Sequence, residues 1–321
     1  MKELEEIDRE IIKILLKDGR KNFVKIAAQC HVSEDIIWLH YKNLKRAGII
    51  VGATSQFNFQ KLGYAGLATV AINVESQNVE KVLDRISRIP DFPCYRNYGS
   101  THTIGAISRV KTLKDLENIK IMINRSNKIE EIKTYLWTNC RNIVENIIPV
   151  NATFRDDVDQ TAIFSSENQE EIDQVDLAVI DALTINGRES FSKIGQKIGV
   201  SAGTINRRYE KLKHGNIVKV SLQVDLSKLG FQGVFEIYLS LADQSEIYKV
   251  SDELCKIPSI SWIALVNGDY DLLAGAMVRD CNNIIEISRQ IEKIPNIKKM
   301  KTAIQSVPPQ WPTPGQAIST F

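Results

Sequence analysis

Residues 187–217 read GRESFSKIGQKIGVSAGTINRRYEKLKHGNI, and residues 19–49, found 168 positions earlier, read GRKNFVKIAAQCHVSEDIIWLHYKNLKRAGI. The two stretches share Gly-Arg, Val-Ser and the spacing of Tyr, Leu-Lys and Ile without a gap. After one gap, the Lys-Leu-Gly at 61–63 pairs with the Lys-Leu-Gly at 228–230. A period this long is the size of a domain rather than of a solenoid repeat. The chain is therefore predicted to contain two related copies, here called copy one and copy two.

The composition is that of an ordinary globular protein. The 321 residues are 43% hydrophobic, which predicts two domains or more. No stretch of about 18 apolar residues occurs, so we expect no membrane helix and a cytoplasmic location. Five scattered cysteines, odd in number, argue against a disulfide framework and against a zinc site. The net charge of +2 hides an acidic segment at 155–181 that is followed by a basic one.

Each copy opens with a pattern typical of three short helices. Apolar residues recur every three or four positions from Leu4 and again from Val175, and a glycine stands just beyond, where a helix C-cap belongs. A second short helix and a turn follow, and the turn ends at Ser33 or Ser201, in the position of an N-cap. The order of these elements predicts a helix-turn-helix in each copy.

The third helix of copy two is predicted to expose groups that suit DNA. At about 100° per residue, its solvent face carries side chains able to bind base edges and phosphates. The candidate DNA-binding residues of copy two are Ser201, Thr204, Asn206, Arg207, Arg208 and Lys211. A solvated charged face is the alternative interpretation, and it is disfavoured by the preceding helix-turn-helix pattern.

Copy one differs on the same face. Leu39 and His40 stand where copy two has Arg207 and Arg208, and Trp38 replaces Asn206. Acidic residues in the first turn suit the helix dipole but would repel phosphates. Copy one is therefore expected to bind DNA weakly or to contact a protein instead. Its candidate DNA-binding residues are Ser33, Trp38, His40 and Lys42.

The second module of each copy predicts the order βαββαβ. In copy two, residues 234–241 alternate as a strand, 247–257 read as a helix, and 260–266 and 272–278 form a hairpin around Asn-Gly-Asp-Tyr-Asp. A helix at about 283–292 and a strand at about 297–306 complete the unit. Copy one follows the same order, with its second strand predicted at 93–98 and its last strand at 131–137.

In combination, these motifs resemble the Lrp/AsnC family of transcription regulators. The resemblance rests on Ile-Asp…Gly-Arg, Val-Ser, Tyr-x-x-Leu-Lys, the connector ending in Leu-Gly, and Gly-Asp-Tyr-Asp in copy two. It implies an α+β chain of two winged-type helix-turn-helix domains and two ferredoxin-like βαββαβ domains in tandem. It further implies double-stranded DNA as a partner, pairing of the two ligand domains as an intramolecular pseudo-dimer, and further homo-oligomerisation. An amino-acid effector would then bind near Gly268, Asp269, Tyr270 and Asp271, although this turn can also be purely structural.

The predicted domain limits follow the two copies in order. They are a helix-turn-helix domain at 1–60, a ligand domain at 61–150, an acidic linker at 151–174, a second helix-turn-helix at 175–227, a second ligand domain at 228–307 and a Pro-rich tail at 308–321. No catalytic or metal-binding motif is found, so no cofactor and no enzymatic activity are expected. Two other functions were considered: a protein-interaction module that has lost DNA binding, and a tetrapyrrole enzyme similar to siroheme decarboxylases, with Tyr95, Arg96, Tyr98 and His102 as a loose candidate cluster.

Overall fold

The computed structural model describes residues 4–89, 92–99, 101–124, 128–148 and 172–319. The chain divides into two compact units, and each unit combines parts of both copies. Among the described residues, the helix-turn-helix unit comprises 4–62, 144–148, 172–230 and 308–319, and the sheet unit comprises those between 63 and 143 and between 231 and 307. The predicted acidic linker, up to residue 171, lies outside the described residues.

The elements follow the order predicted for two α+β copies. Copy one contains α1 (Glu6–Lys17), α2 (Phe23–Cys30), α3 (Glu34–Arg46), β1 (Ile50–Phe57), β2 (Gly66–Val74), α4 (Val79–Ile86), β3 (Cys94–Arg96), β4 (Tyr98–Gly99), β5 (Ile104–Val110), α5 (Leu113–Ile123) and β6 (Ile129–Asn142). Copy two contains α6 (Gln174–Ile185), α7 (Phe191–Ile198), α8 (Ala202–His214), β7 (Val218–Val224), β8 (Gly233–Leu241), α9 (Ile247–Cys255), β9 (Ile260–Asn267), β10 (Leu272–Val278), α10 (Cys281–Ile291) and β11 (Ile297–Gln305). No helix among the described residues has the length and apolarity needed to span a bilayer.

The predicted serine caps and apolar stripes of α3 and α8 are confirmed. The hydroxyl of Ser33 accepts a hydrogen bond from the backbone N–H of Ile36, and that of Ser201 accepts one from Thr204. One stripe on each helix faces the core: Ile37, Tyr41 and Leu44 on α3, and Ile205, Tyr209 and Leu212 on α8. The hydroxyl caps satisfy backbone donors that would otherwise lack an intrahelical partner.

The two helix-turn-helix domains are joined through the strand that follows each of them. β1 pairs with β7 in antiparallel register, with Thr54 opposite Ser221 near the centre. The backbone N–H of Gly19, just after α1, donates to Val220 of β7 at 2.8 Å, and that of Gly187, just after α6, donates to Ala53 of β1 at 2.7 Å. The first helix of each copy is thus tied to the strand of the other copy.

The predicted C-cap role of these two glycines is wrong. The C-caps are Asp18 and Asn186, both in extended backbone conformation. Glycine is required because the chains approach closely: a Cβ on Gly19 would lie 2.8 Å from the carbonyl carbon of Ser221, and one on Gly187 would lie 2.9 Å from that of Ala53. Packing between the copies, rather than a left-handed turn, therefore explains the repeated glycine.

The two βαββαβ modules share one nine-stranded sheet. Its order is β3-β5-β2-β6-β9-β10-β8-β11-β4, so the copies meet where β6 pairs with β9 and where β11 pairs with β4. The predicted second strand of copy one at 93–98 is divided, because β3 pairs with β5 of its own copy whereas β4 pairs with β11. The predicted last strand of copy one extends to Asn142, because its second half pairs with β9. The helices α4 and α5 contribute to a core with β2 and β5 that includes Val70, Ile72, Val82, Ile86, Ile104, Ile119 and Ile123.

The Pro-rich tail packs on the β1–β7 pair. Trp311 is 4% exposed and exchanges two backbone hydrogen bonds of 2.9 Å with Val224 of β7. Farther along, Ile318 donates to the carbonyl of Phe57 on β1 at 2.9 Å. The side-chain amide of Gln223 donates to the carbonyl of Pro312 at 3.0 Å. The tail is therefore extended and bonded to a strand from each copy.

Candidate functional site

The solvent face of α8 carries the polar groups expected of a DNA-reading helix. Asn206 and Arg207 are exposed, and Ala202 and Gly203 keep the first turn free of large side chains. Thr204 is partly covered and its hydroxyl lies 2.9 Å from the Ser201 hydroxyl. A small first turn followed by an amide and a guanidinium lets a helix approach base edges and offers them donors.

Two predicted DNA contacts of copy two instead bind carboxylates within the domain. Nη1 of Arg208 lies 2.8 Å from Oδ2 of Asp173 and 3.2 Å from Oδ2 of Asp176, whose side chain is fully buried. Nζ of Lys211 lies 3.8 Å from the same Asp176 oxygen. These contacts link α8 to the start of α6.

Copy one contains the same arrangement with different residues. Nδ1 of His40 lies 2.7 Å from Oδ1 of Asp8, and both residues stand 168 positions before Arg208 and Asp176. Asp8 belongs to the Ile-Asp motif, but the motif alone does not predict that Asp8 or Asp176 pairs with the third helix. The repeat itself could have indicated these pairs. In both copies, an aspartate near the start of the first helix is followed 32 positions later by a basic residue on the third helix.

The corresponding face of copy one is largely apolar and aromatic. The Trp38 ring lies nearly parallel to that of Tyr41, with centroids 6.0 Å apart, and 5.4 Å from the ring of Phe23. Nζ of Lys42 lies 4.9 Å from the Trp38 centroid. Of the predicted contacts of copy one, Ser33 is a cap, His40 pairs with Asp8, and Trp38 and Lys42 stack on the exposed surface.

The arginine of each Gly-Arg motif reaches the other copy. Nη1 of Arg20 donates to the carbonyls of Gly187 at 2.7 Å and Glu189 at 3.0 Å, and its guanidinium lies 4.1 Å from the Phe191 centroid. Reciprocally, Arg188 donates to the carbonyl of Lys21 at 3.3 Å and its guanidinium lies 4.9 Å from the Phe23 centroid. These reciprocal contacts join the Gly-Arg segment of each copy to the start of the second helix of the other copy.

The predicted effector turn is tied to its surroundings. The Asp271 carboxylate accepts hydrogen bonds of 2.7 Å from the backbone of Leu241 and the side chain of Gln244. The Asp269 carboxylate forms a 2.7 Å ion pair with Lys133 of copy one. Tyr270 is buried and packs on Tyr135 and Tyr238, while Gly268 lies against the Tyr135 ring. Of the two carboxylates in this turn, that of Asp269 is exposed to solvent, and its counter-ion is Lys133.

A buried polar cluster lies inside the sheet unit where the two copies meet. The Glu236 carboxylate accepts hydrogen bonds from Tyr95, Tyr238, Asn97 and Gln305, at 2.8 to 2.9 Å. Burial raises the pKa of Glu236, and the hydrogen bonds from the two tyrosines and Asn97 oppose that rise. The sequence offered one signal, a single carboxylate in the middle of the apolar strand β8.

His102 forms the edge of this cluster. The side-chain amide of Asn97 lies 2.9 Å from Nε2 of His102, and burial lowers the pKa of this histidine from 6.5 to about 4. Of the loose tetrapyrrole cluster, Tyr95 and His102 therefore belong to one interior network. Arg96 lies elsewhere, with its guanidinium 5.2 Å from the ring centroid of Tyr98.

Comparison with known families identifies the modules. The AsnC-type helix-turn-helix domain matches residues 172–213, and the Lrp/AsnC ligand binding domain matches residues 232–306. A winged helix-turn-helix DNA-binding domain matches residues 4–51 of copy one. Copy two therefore has both modules of the Lrp/AsnC family.

Relatives in this family are named transcriptional regulators and match about one copy. An HTH-type regulator of Pyrococcus horikoshii is 29% identical over 143 residues, which are 44% of this chain and 90% of the relative. The HTH-type transcriptional regulator Ptr1 of Methanocaldococcus jannaschii is 25% identical over 135 residues, or 41% of this chain and 90% of the relative. Each of these relatives is therefore about half as long as this chain.

A solved structure matches both copies at once. The siroheme decarboxylase NirDL aligns with a TM-score of 0.65 at 14% identity, covering 99% of this chain and 94% of that one. NirDL in complex with an iron-uroporphyrin III analogue aligns with a TM-score of 0.64. At this identity the likeness establishes a shared fold of tandem helix-turn-helix and ferredoxin-like modules.

Proposed function

We propose that the chain is a sequence-specific, DNA-binding transcriptional regulator in which α8 of copy two does most of the base reading. The observation that supports this most directly is the exposed pair Asn206 and Arg207 beyond a small first turn. Arginine pairs bidentately with guanine and asparagine with adenine in the major groove. Arg207 forms no ion pair in the described part of the chain, whereas Arg208 binds two aspartates.

The proposed DNA site is asymmetric. A two-fold dimer with identical recognition helices favours palindromic half-sites. Here the two recognition helices differ at the positions of Asn206 and Arg207, where copy one has Trp38 and Leu39. Because both domains are joined through β1 and β7, we expect one specific half-site together with non-specific phosphate contacts beside it.

The test is DNA binding by the purified chain to fragments of its own upstream region, measured by fluorescence anisotropy at two salt concentrations. Arg207→Ala is expected to weaken specific binding about tenfold or more, since one bidentate base contact contributes about 1–3 kcal/mol. Lys249→Ala, which removes an exposed charge in the sheet unit, is the matched control and should leave affinity unchanged. Equal affinities for Arg207→Ala and the wild type would contradict the proposed role of α8.

An amino-acid effector at the turn of copy two stays a prediction. Its ammonium group would replace Lys133 as the counter-ion of Asp269, because Asp271 is already occupied by hydrogen bonds from its own copy. Individual amino acids should then raise the melting temperature of the wild type but not of Asp269→Asn. Equal shifts in both proteins would place any effector elsewhere.

The tetrapyrrole alternative has weaker support in the residues present. Siroheme is a polycarboxylate, and a site for it needs cationic groups directed inward. The interior cluster centres on the carboxylate of Glu236, and its donors in the described contacts are two tyrosines and two amides. This carboxylate-centred cluster does not fit the group. After incubation with iron-uroporphyrin and removal of unbound porphyrin by gel filtration, a protein fraction without a Soret band would agree with this interpretation.

A further inference from the structure

The recognition helix of copy one exposes an apolar surface. Ile36, Trp38 and Leu39 are 39%, 44% and 56% exposed, and we call these three side chains the α3 apolar face. The helix α8 presents Thr204, Asn206 and Arg207 at the same three positions. The large apolar side chains of α8 are all buried, so the apolar face is specific to copy one.

Charges at the two ends of α3 flank this face. Glu34 and Asp35 are exposed in the first turn, and Lys45 and Arg46 are exposed in the last. Carboxylates at the end of a recognition helix that approaches the groove would repel phosphates, and Leu39 offers no hydrogen bond to a base. The α3 apolar face therefore lacks the hydrogen-bonding groups with which α8 could contact bases.

Part of the apolar face is already held in place. The Trp38 ring packs against Phe23 and Tyr41, and Lys42 lies over it. His40, between Leu39 and Tyr41, is fixed by Asp8. A pre-ordered aromatic side chain loses little conformational entropy on binding, and such residues are common centres of protein interfaces. Exposed apolar side chains bordered by charged ones are a common feature of interaction sites.

We propose that the α3 apolar face docks a protein segment that presents apolar side chains with a lysine or arginine next to them. The basic residue would meet Glu34 and Asp35, and the charge order along α3 would set the direction of the segment. The chain would then bind DNA through copy two and another protein through copy one. This inference goes beyond the proposed regulator, because α8 could read DNA without it.

The test selects random-peptide phage on the immobilised full-length chain and measures the enriched peptides by fluorescence polarisation. We expect enrichment of basic, apolar sequences whose affinity falls about tenfold or more with Leu39→Glu, a loss typical of a central interface residue. Arg207→Ala is the matched control at the same position of copy two and should not change peptide affinity. Thermal melts establish that each variant is folded, and Leu39→Ala provides a milder change.

Three results would overturn the proposal. One is a selection that yields no peptide dependent on Leu39. Another is a loss of DNA affinity of about tenfold on Leu39→Ala, which would make α3 a DNA contact. The third is self-association in sedimentation that disappears with Leu39→Glu, which would make a second copy of this chain the occupant. The proposed DNA function is tested separately by Arg207→Ala.

Discussion

At the scale of single residues, the hydrogen bond between Asn97 and His102 indicates that His102 is neutral. Asn97 uses its side-chain amide as a donor both to Glu236 and to Nε2 of His102. That nitrogen must therefore accept, and a protonated imidazole would bring two donors face to face. Burial acts in the same direction and lowers the pKa of His102 to about 4.

This assignment predicts how stability depends on pH. As the pH falls below 6.5, the unfolded chain binds a proton at His102 before the folded chain does, so the free energy of unfolding decreases until pH 4. We expect His102 alone to remove about 2 kcal/mol between pH 7 and pH 5. His102→Gln keeps an acceptor for Asn97 but cannot titrate. Urea unfolding should therefore show a smaller loss in this variant than in the wild type.

Comparing the wild type with His102→Gln also separates the effect of His102 on the pH dependence of stability from the effect of Glu236. The pKa of Glu236 is raised by burial, so this group binds a proton more readily in the folded chain, and acidification favours folding through it. The two effects have opposite signs, and Glu236 is present in both proteins. Parallel pH profiles for the two proteins would show that His102 is not buried in its neutral form.

The DNA-binding residues show where sequence reasoning at this scale succeeds and where it stops. Helical phase correctly placed Asn206 and Arg207 on the solvent face of α8. It placed Arg208 toward the edge of that face, but it did not predict the separation of Arg208, which binds aspartates, from Arg207, which stays exposed. The separation depends on Asp176, which approaches α8 only in the tertiary structure.

At the scale of elements, the order of helices and strands could be predicted, and their contacts between copies could not. Apolar periodicity and turn residues identified each helix-turn-helix and each βαββαβ module. The division of β3 from β4 and the length of β6 result from pairing with the other copy. The apolar periodicity of a strand does not show which distant strand will pair with it.

The repeated glycine gives the sharpest test of these contacts. In Gly187→Ala, the new methyl group would lie 2.9 Å from backbone atoms of β1, which cannot rotate away. We expect the free energy of unfolding to fall by about 2–3 kcal/mol. Gly203→Ala is the control, because its methyl group would lie 3.7 Å from the nearest atom, the Ser201 hydroxyl, and alanine favours a helix. If chemical denaturation gives Gly187→Ala the same free energy of unfolding as the wild type, the chain after α6 is not in close contact with β1.

At the scale of the whole molecule, the copies are interleaved rather than arranged as successive domains. Each compact unit draws on both halves of the chain, and the last segment returns to the helix-turn-helix unit. The sequence marked residues 308–321 as a Pro-rich tail but did not predict the surface on which this tail lies. Its backbone bonds to Val224 and Phe57 link it to one strand from each copy.

This placement makes the tail a structural part of the helix-turn-helix unit. Trp311→Ala empties a buried site, so we expect a loss of about 3–5 kcal/mol in the free energy of unfolding. Ile185→Ala changes a side chain that is 86% exposed in the same unit, and it should alter stability by less than about 0.5 kcal/mol. Because β1 and β7 carry the two recognition helices, Trp311→Ala should also weaken specific DNA binding at temperatures where the chain remains folded. Wild-type stability and DNA affinity in Trp311→Ala would show that the β1–β7 pair holds the two domains together without the tail.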